Sequence, residues 1–131
     1  MSQPAWIAEA PFKFSKVLIA NRGEIACRII RGCKEMGLAT VAIFNDSDIG
    51  AMHVELADES VHLEGSEISS TYLSHTAIIN ACRTSGADAL HPGYGFLSER
   101  SDFAELVGAS GIIWIGPPAK AIDSMGDKVR S

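Results

Sequence analysis

The stretch Lys16-Val17-Leu18-Ile19-Ala20-Asn21-Arg22-Gly23-Glu24 decides the fold, because it joins a short apolar run to the start of an amphipathic segment. An apolar run of this length is too short for a helix and suits a strand in the middle of a sheet. In the following segment, apolar residues recur on one face at helical spacing, namely Ile25, Ala26, Ile29, Ile30, Cys33 and Met36. Gly37 is a typical helix stop. The sequence therefore predicts a strand followed directly by an α-helix over 23–36.

The same alternation of apolar runs and amphipathic segments continues along the chain. Further strands are predicted at 40–44, 60–63, 87–90 and 112–115, and further helices at 51–56, 71–84 and 101–107. The inward-facing residues predicted for the helix at 71–84 are Leu73, Ala77, Ile78, Ala81 and Cys82. Strands that alternate with helices are typical of a parallel sheet with helices on both faces. We therefore expect an α/β domain over 16–131, built on a doubly wound, mostly parallel, Rossmann-like sheet of about five strands, after an N-terminal extension over 1–15.

Composition indicates a single globular domain and excludes some partners. A chain of 131 residues with 47% hydrophobic residues supports a core of its own. Eleven basic and sixteen acidic side chains give a net charge of −5 without a basic cluster, so nucleic acid is not an expected partner. The sequence has no apolar stretch of bilayer length and no targeting pattern, so we expect no membrane association and a cytoplasmic location. Cys27, Cys33 and Cys82 lack zinc-binding spacing and are expected to be buried thiols.

A glycine-rich loop follows the predicted strand at 87–90, with the sequence His91-Pro92-Gly93-Tyr94-Gly95-Phe96-Leu97-Ser98-Glu99. Glycine tolerates positive φ and has no Cβ, so the backbone beside Tyr94 has room for a ligand. Ligands of open α/β sheets bind at the carboxyl ends of the strands, which makes this loop the first candidate site. A tight turn with a packed tyrosine is the alternative interpretation.

The turn after the first strand lacks the usual nucleotide-binding pattern. Gly23 is its only glycine, so the three-glycine fingerprint that binds a pyrophosphate is missing. Asn21 and Arg22 either line a site at the edge of the sheet or act structurally, Asn21 as a helix cap and Arg22 in an ion pair. The four histidines show no metal-binding spacing, and no metal site is expected; His91 is expected to be structural.

Charged residues on the first predicted helix have two possible roles. Glu24 and Arg28 are four residues apart, as are Arg31 and Glu35, so each pair can meet on the helix surface. Solvated pairs of this kind contribute only tenths of a kcal/mol. The same face is alternatively a subunit interface, and helical spacing does not distinguish the two roles.

Six short segments spread along the chain after residue 15 form a specific combination: Lys16-Val-Leu-Ile-Ala-Asn-Arg-Gly-Glu-Ile-Ala26, Leu56-Ala-Asp-Glu59, His91-Pro-Gly-Tyr-Gly-Phe-Leu-Ser-Glu99, Phe103-Ala104, Ile115-Gly-Pro117 and Met125-Gly-Asp-Lys128. In this order and spacing they resemble the N-terminal part of the biotin carboxylase component of biotin-dependent carboxylases.

The resemblance implies a doubly wound α/β domain that precedes an ATP-grasp domain. In that family the whole unit uses MgATP and bicarbonate to carboxylate the ureido nitrogen of biotin, with carboxyphosphate as the implied intermediate. Tyr94 and Gly95 match the positions that contact the biotin ring system, and Lys128 matches the lysine that reaches the ATP phosphates. Arg31 and Glu35 match residues in the dimer interface of bacterial members.

Length is the point at which the chain departs from that family. The sequence stops three residues after Lys128, before the ATP-grasp domain that carries the family's magnesium ligands, bicarbonate site and catalytic base. We therefore expect no catalytic residue in this chain and no turnover by the chain alone. The implied partners are a biotin carboxyl carrier domain or protein, a carboxyltransferase component and a second copy in a homodimer. The motifs fit acyl-CoA and pyruvate carboxylases alike, so they do not identify the final carboxyl acceptor; a non-catalytic interaction or dimerisation domain is the alternative function.

Overall fold

The computed structural model describes residues 14–116, which contain five β-strands and four α-helices. In chain order these are β1 (Lys16–Ile19), α1 (Gly23–Glu35), β2 (Ala39–Phe44), α2 (Met52–Leu56), β3 (Glu59–His62), α3 (His75–Ser85), β4 (Ala89–His91), α4 (Ser101–Ala109) and β5 (Ile113–Trp114). Short 3-10 helices lie at Asp46–Asp48, Ile68–Ser70 and Phe96–Glu99. The predicted alternation of strands and helices is confirmed, while most of the expected N-terminal extension, residues 1–13, lies outside the described range.

All strands of the described sheet are parallel, in the order β3-β2-β1-β4-β5. In the register of β1 with its two neighbours, Ile19 lies opposite Ala42 of β2 and His91 of β4. The chain first builds outward from β1 through β2 to β3, and it then crosses back to add β4 and β5 on the other side. This is the doubly wound sheet that the sequence predicts, and its topological switch point lies between β1 and β4.

Alternate residues of β1 point to opposite faces of the sheet, and each face is covered by different helices. Val17 and Ile19 belong to the cluster packed under α1, whose other buried members are Ala26, Ile30, Cys33, Leu38, Ala42 and Ala89. Leu18 belongs to the larger cluster on the opposite face, to which α3 and α4 contribute Ile78, Ile79, Ala81, Cys82, Phe103 and Val107. Because both faces of β1 are buried, its sequence is a continuous apolar run rather than an alternating one.

Helix α3 begins later than the sequence predicts. Ser74 caps the helix, because its hydroxyl oxygen accepts a hydrogen bond from the N–H of Ala77 at 3.2 Å, and the first helical residue is His75. Leu73 therefore lies before the helix and is exposed, so the prediction that it faces the core is wrong. The neighbouring Tyr72 is fully buried instead.

The three cysteines are buried and free, as predicted. Burial raises the pKa of Cys82 to about 12, and it also raises the pKa values of Cys27 and Cys33. These thiols are therefore protonated at neutral pH and act as packing groups. Within residues 14–116, none of the helices is both long enough and apolar enough to cross a bilayer.

Candidate functional site

The candidate site lies at the carboxyl edge of the sheet, where β1 and β4 run side by side. β4 extends to His91, one residue beyond the predicted strand, and the Ala20 N–H donates to the His91 carbonyl at 2.9 Å. Beyond this bond, one chain segment turns through Asn21 into α1. The other continues from β4 into residues 92–95, which we call the glycine loop. The two segments meet at the switch point of the sheet, the position at which ligands bind in open α/β folds.

The glycine loop presents a tyrosine ring to solvent. Gly93 and Gly95 both have φ of +71°, and ψ of Gly95 is −162°. Tyr94 between them is 76% exposed. Directly after the loop, the ring of Phe96 packs on that of Tyr72 with centroids 5.6 Å apart, which anchors the chain to the core. The alternative interpretation of a turn with a packed tyrosine is therefore wrong.

The side chain of Asn21 ties the glycine loop to the end of β1. Its Nδ2 donates to the carbonyl oxygen of Pro92 at 2.9 Å and to that of Tyr94 at 2.8 Å. Its Oδ1 accepts from the N–H of Arg22 at 2.9 Å, and the residue is only 1% exposed. The N-cap of α1 is Arg22, and no side chain caps this helix end. The interpretation of Asn21 as a helix cap is therefore wrong, and the contact with the glycine loop takes its place.

Gly93 is held from both sides by polar groups. A Cβ at this position would lie 2.7 Å from Nδ2 of Asn21 and 3.0 Å from its Cβ, so no larger residue fits without movement. The Gly93 N–H donates to Nδ1 of His91 at 3.0 Å. Because Nδ1 is an acceptor here, the proton of the neutral ring is on Nε2, and burial lowers the pKa of His91. His91 therefore supports the loop in its neutral form.

A groove of about 510 Å³ opens beside the exposed tyrosine. It runs between α1 and the glycine loop and is lined by Ile25, Arg28, Ile29, His91, Gly93 and Tyr94. Its wall combines aliphatic side chains with an aromatic ring, a guanidinium and a glycine backbone. These groups suit a small ligand with a flat face and a polar edge, because a few polar groups in an apolar groove fix the orientation of a ligand.

A charged cluster, in which Asp48 and Tyr72 are buried and Arg22 is exposed, stabilises the same edge of the sheet. Arg22 donates from Nε and Nη2 to the two carboxylate oxygens of Asp48 at 2.6 and 2.7 Å, and the Tyr72 hydroxyl donates to Oδ2 at 2.5 Å. The bonds from Arg22, followed by that from Tyr72, lower the pKa of Asp48 to about 2. Burial and the bond to Asp48 raise the pKa of Tyr72. Of the two roles considered for Arg22, the structure shows the ion pair, and its partner Asp48 was not identified from the sequence because it lies 26 residues further along the chain.

The charged side chains of α1 pair differently from the spacing of four residues that the sequence suggests. Nη1 of Arg31 lies 3.8 Å from Oε1 of Glu24, and Nη2 of Arg31 lies 4.0 Å from the sulfur of Met52 on α2. Arg31 and Glu35 are both exposed, and in the described part of the chain they form no ion pair with each other. Their place in a dimer interface stays a prediction.

The remaining predicted site residues are not tested by this geometry. Tyr94 and Gly95 lie together at the tip of the glycine loop, but their contact with biotin stays a prediction. Lys128 lies outside the described residues, and its role toward ATP phosphates also stays a prediction. Over residues 14–116, no three His, Cys, Asp or Glu side chains come together in a group that could hold a metal ion.

Comparison with known proteins finds relatives of the chain among biotin-dependent carboxylases. The family described as biotin carboxylase, N-terminal domain, matches residues 13–122. The propionyl-CoA carboxylase alpha chain of Ruegeria pomeroyi is 52% identical over 118 residues, which make up 90% of this chain and 17% of that protein. The mitochondrial methylcrotonoyl-CoA carboxylase subunit alpha of Oryza sativa subsp. japonica is 53% identical over 116 residues, 88% of this chain and 16% of that protein.

A solved structure shares the fold. The biotin carboxylase subunit of pyruvate carboxylase matches with a TM-score of 0.83 and 54% identity, over 89% of this chain and 26% of that one. The chain thus spans about a sixth of the length of the curated relatives it matches, 17% and 16% in the two cases above.

Proposed function

The chain belongs to the family of biotin carboxylase N-terminal domains, and we propose that it forms the biotin-facing part of an ATP-dependent biotin carboxylase. The proposed domain covers residues 16–131. Such an enzyme carboxylates biotin on a carrier protein with ATP and bicarbonate, and it then works with a carboxyltransferase component. In this proposal the chain supplies the biotin side of the active site, and it is inactive without an ATP-grasp part.

The exposed ring of Tyr94 is the observation that carries the proposal. The ring stands 76% exposed between two glycines of positive φ, beside a groove of about 510 Å³ at the switch point of the sheet. An aromatic side chain exposed in this way has no role in the core of the domain. It offers a flat apolar face to a ring system, and the adjacent Gly95 leaves the backbone open to close approach.

The chain's own residues bind and orient rather than perform the chemistry. ATP and Mg²⁺ would activate bicarbonate when bound, and Lys128 is the proposed contact of this chain with the phosphates. Tyr94 and Gly95 would hold the biotin ring system on the other side of the reacting atoms. Residues 14–116 contain no cluster of metal ligands, so the proposal assigns the Mg²⁺ ligands to the ATP-grasp part.

A chimera tests the proposed function directly. The matched 118 residues of the Ruegeria pomeroyi propionyl-CoA carboxylase alpha chain are replaced by those of this chain, and ADP release is measured with bicarbonate and free biotin. We expect release that depends on both additions, whereas the 131-residue chain alone gives none. A chimera that folds but shows no biotin-dependent release, beside an active parent, would contradict the proposal.

Two variants of the chimera identify the site. Tyr94→Ala is expected to raise the KM for biotin at least tenfold and to leave the melting temperature unchanged, because the ring is exposed. Leu106→Ala is the matched control, since it truncates another exposed apolar side chain, on α4 and outside the groove. An active chimera with the same biotin KM in both variants would show that the glycine loop is not the biotin site.

A dimerisation domain is the second candidate, and it is favoured by the α1–α2 surface. Met52 is 63% exposed and lies 4.0 Å from the Arg31 guanidinium, so an apolar and a charged group lie together on the surface. We propose that Arg31 and Glu35 belong to a two-fold interface there, where each patch meets its own copy. An inactive chimera together with a concentration-dependent dimer of the 131-residue chain would favour this second function over the first.

A further inference from the structure

We infer that Asn21 is the positioning residue of the glycine loop: its buried side-chain amide sets the direction of the Tyr94–Gly95 peptide and so the orientation in which the loop meets biotin. The part of this inference that concerns biotin rests on the proposed function. The part that concerns the loop stands on the contacts of Asn21 alone.

The amide of Asn21 makes three hydrogen bonds to two chain segments. Both Nδ2 hydrogens are used, one on the carbonyl of Pro92 and one on that of Tyr94. The Arg22 N–H donates to Oδ1, which fixes the amide in this orientation, since a flipped amide would place Oδ1 against two carbonyl oxygens. Nearly complete burial removes water as a competing partner.

Two bonds to carbonyl groups two residues apart determine the backbone between them. The carbonyls of Pro92 and Tyr94 enclose Gly93, whose φ of +71° and close contact with Asn21 leave no room for a Cβ. With the Tyr94 carbonyl held on Asn21, the N–H of the same trans peptide, that of Gly95, points the opposite way. Within residues 14–116 this N–H makes no backbone or side-chain hydrogen bond, so it is a donor available to a ligand.

His91 also holds the N–H of Gly93, but within residues 14–116 only Asn21 donates a side-chain hydrogen bond to the carbonyls of Pro92 and Tyr94. Asn45 is an equally buried asparagine that follows β2, but its Nδ2 bonds are long, 3.4 and 3.5 Å, and its Oδ1 accepts from Ser47 two residues ahead. Asn45 caps its own turn through Oδ1 and reaches Ser66 and Thr71 through the long bonds, and it makes no hydrogen bond to the glycine loop, which Asn21 holds from more than seventy residues away. Asn45 is therefore the matched control.

The first test uses the 131-residue chain labelled with ¹⁵N. In Asn21→Ala we expect amide hydrogen exchange at Gly93 to become at least tenfold faster and the resonances of Gly93 and Gly95 to shift. Asn45→Ala is expected to leave both unchanged. If Asn21→Ala does not fold, Asn21→Ser, which keeps one donor, is expected to give a smaller change in the same direction. Unchanged loop amides in the folded variant would overturn the inference.

The second test measures biotin kinetics in the chimera. Asn21→Ala is expected to raise the biotin KM at least fivefold with the ATP KM unchanged, because the loop and not the nucleotide site is perturbed. A changed loop with an unaltered biotin KM, in an active chimera, would overturn the positioning role. If the unsubstituted chimera lacks biotin-dependent turnover, the proposed function fails, while the amide exchange still decides whether Asn21 sets the loop.

Discussion

The substitution Gly95→Ala tests whether the glycine loop binds a ligand or is only a turn. The backbone angles of Gly95 determine how much stability the substitution is expected to cost. With φ of +71° and ψ of −162°, Gly95 occupies a region that is essentially restricted to glycine, where another residue costs about 1–3 kcal/mol. A Cβ there meets no atom within 4 Å, so no steric clash is added to the conformational cost. Alanine also restricts the unfolded chain, which offsets about 0.4–1 kcal/mol. We therefore expect the free energy of unfolding to fall by about 1.3 kcal/mol, the difference between the midpoints of these two ranges.

The control for this change is Gly86→Ala at the end of α3. Gly86 also has positive φ, +76°, and open space around its Cβ, but its ψ of +18° lies in the left-handed helical region. That region is less restrictive for other residues, costing about 1–2 kcal/mol, so the net loss after the unfolded-chain term is expected to be about 1 kcal/mol or less. Urea denaturation of the 131-residue chain measures both variants.

The kinetic result decides the function of the loop. In the chimera, Gly95→Ala is expected to raise the biotin KM severalfold, because relaxation of the strained residue turns the Tyr94–Gly95 peptide away from the ligand. Gly86→Ala is expected to change stability only. Equal biotin KM values for both variants would mean that the loop is only a turn, and a Gly95→Ala chain as stable as the parent would refute the conformational reasoning.

Two further predictions concern charge. Asp48, whose pKa is lowered from 3.8 to about 2, is expected to contribute about 2 kcal/mol of stability that is present above pH ~4 and lost as pH falls toward 2. In Asp48→Asn, the free energy of unfolding measured by urea titration should therefore depend less on pH between about 4 and 2. An unchanged pH dependence would exclude Asp48 as the cause of the acid destabilisation. Arg31→Glu places like charges across the proposed two-fold axis and should shift any dimer toward monomer in sedimentation equilibrium, most strongly at low salt. Equal dimerisation of both proteins would place the interface elsewhere.

Local sequence patterns were sufficient to predict the layers of the fold. The apolar run at Lys16–Ile19 and the helical stripe after Gly23 depend on nearest neighbours, and both elements form close to where they are predicted. The start of α3 was misplaced because the apolar spacing of Leu73 also fits a helix. In the structure the hydroxyl of Ser74, one residue after Leu73, caps the helix, so Leu73 lies outside it.

The contacts that build the site are long-range, and for that reason the sequence did not reveal them. Asn21 reaches Pro92 and Tyr94 across more than seventy residues, and Asp48 meets both Arg22 and Tyr72 across more than twenty. A short polar residue after a strand is equally typical of a helix cap, a turn or a hydrogen bond to a distant loop. Only the parallel pairing of β1 with β4 brings the end of one strand beside the loop of the other.

The two glycines of the loop have different physical reasons to be glycine, and this difference bears on function. Gly93 has no space for a Cβ, since Asn21 lies 2.7 Å from its ideal position, so this glycine closes the loop against the sheet. Gly95 has open space and needs glycine only for its backbone angles. Open space and positive φ do not by themselves distinguish Gly95, because Gly86 at the end of α3 has both. What distinguishes Gly95 is its ψ of −162°, which together with positive φ lies in a region essentially restricted to glycine. If the loop binds biotin as proposed, substitution at Gly95 should therefore change binding by altering backbone direction, whereas substitution at Gly93 should first displace Asn21.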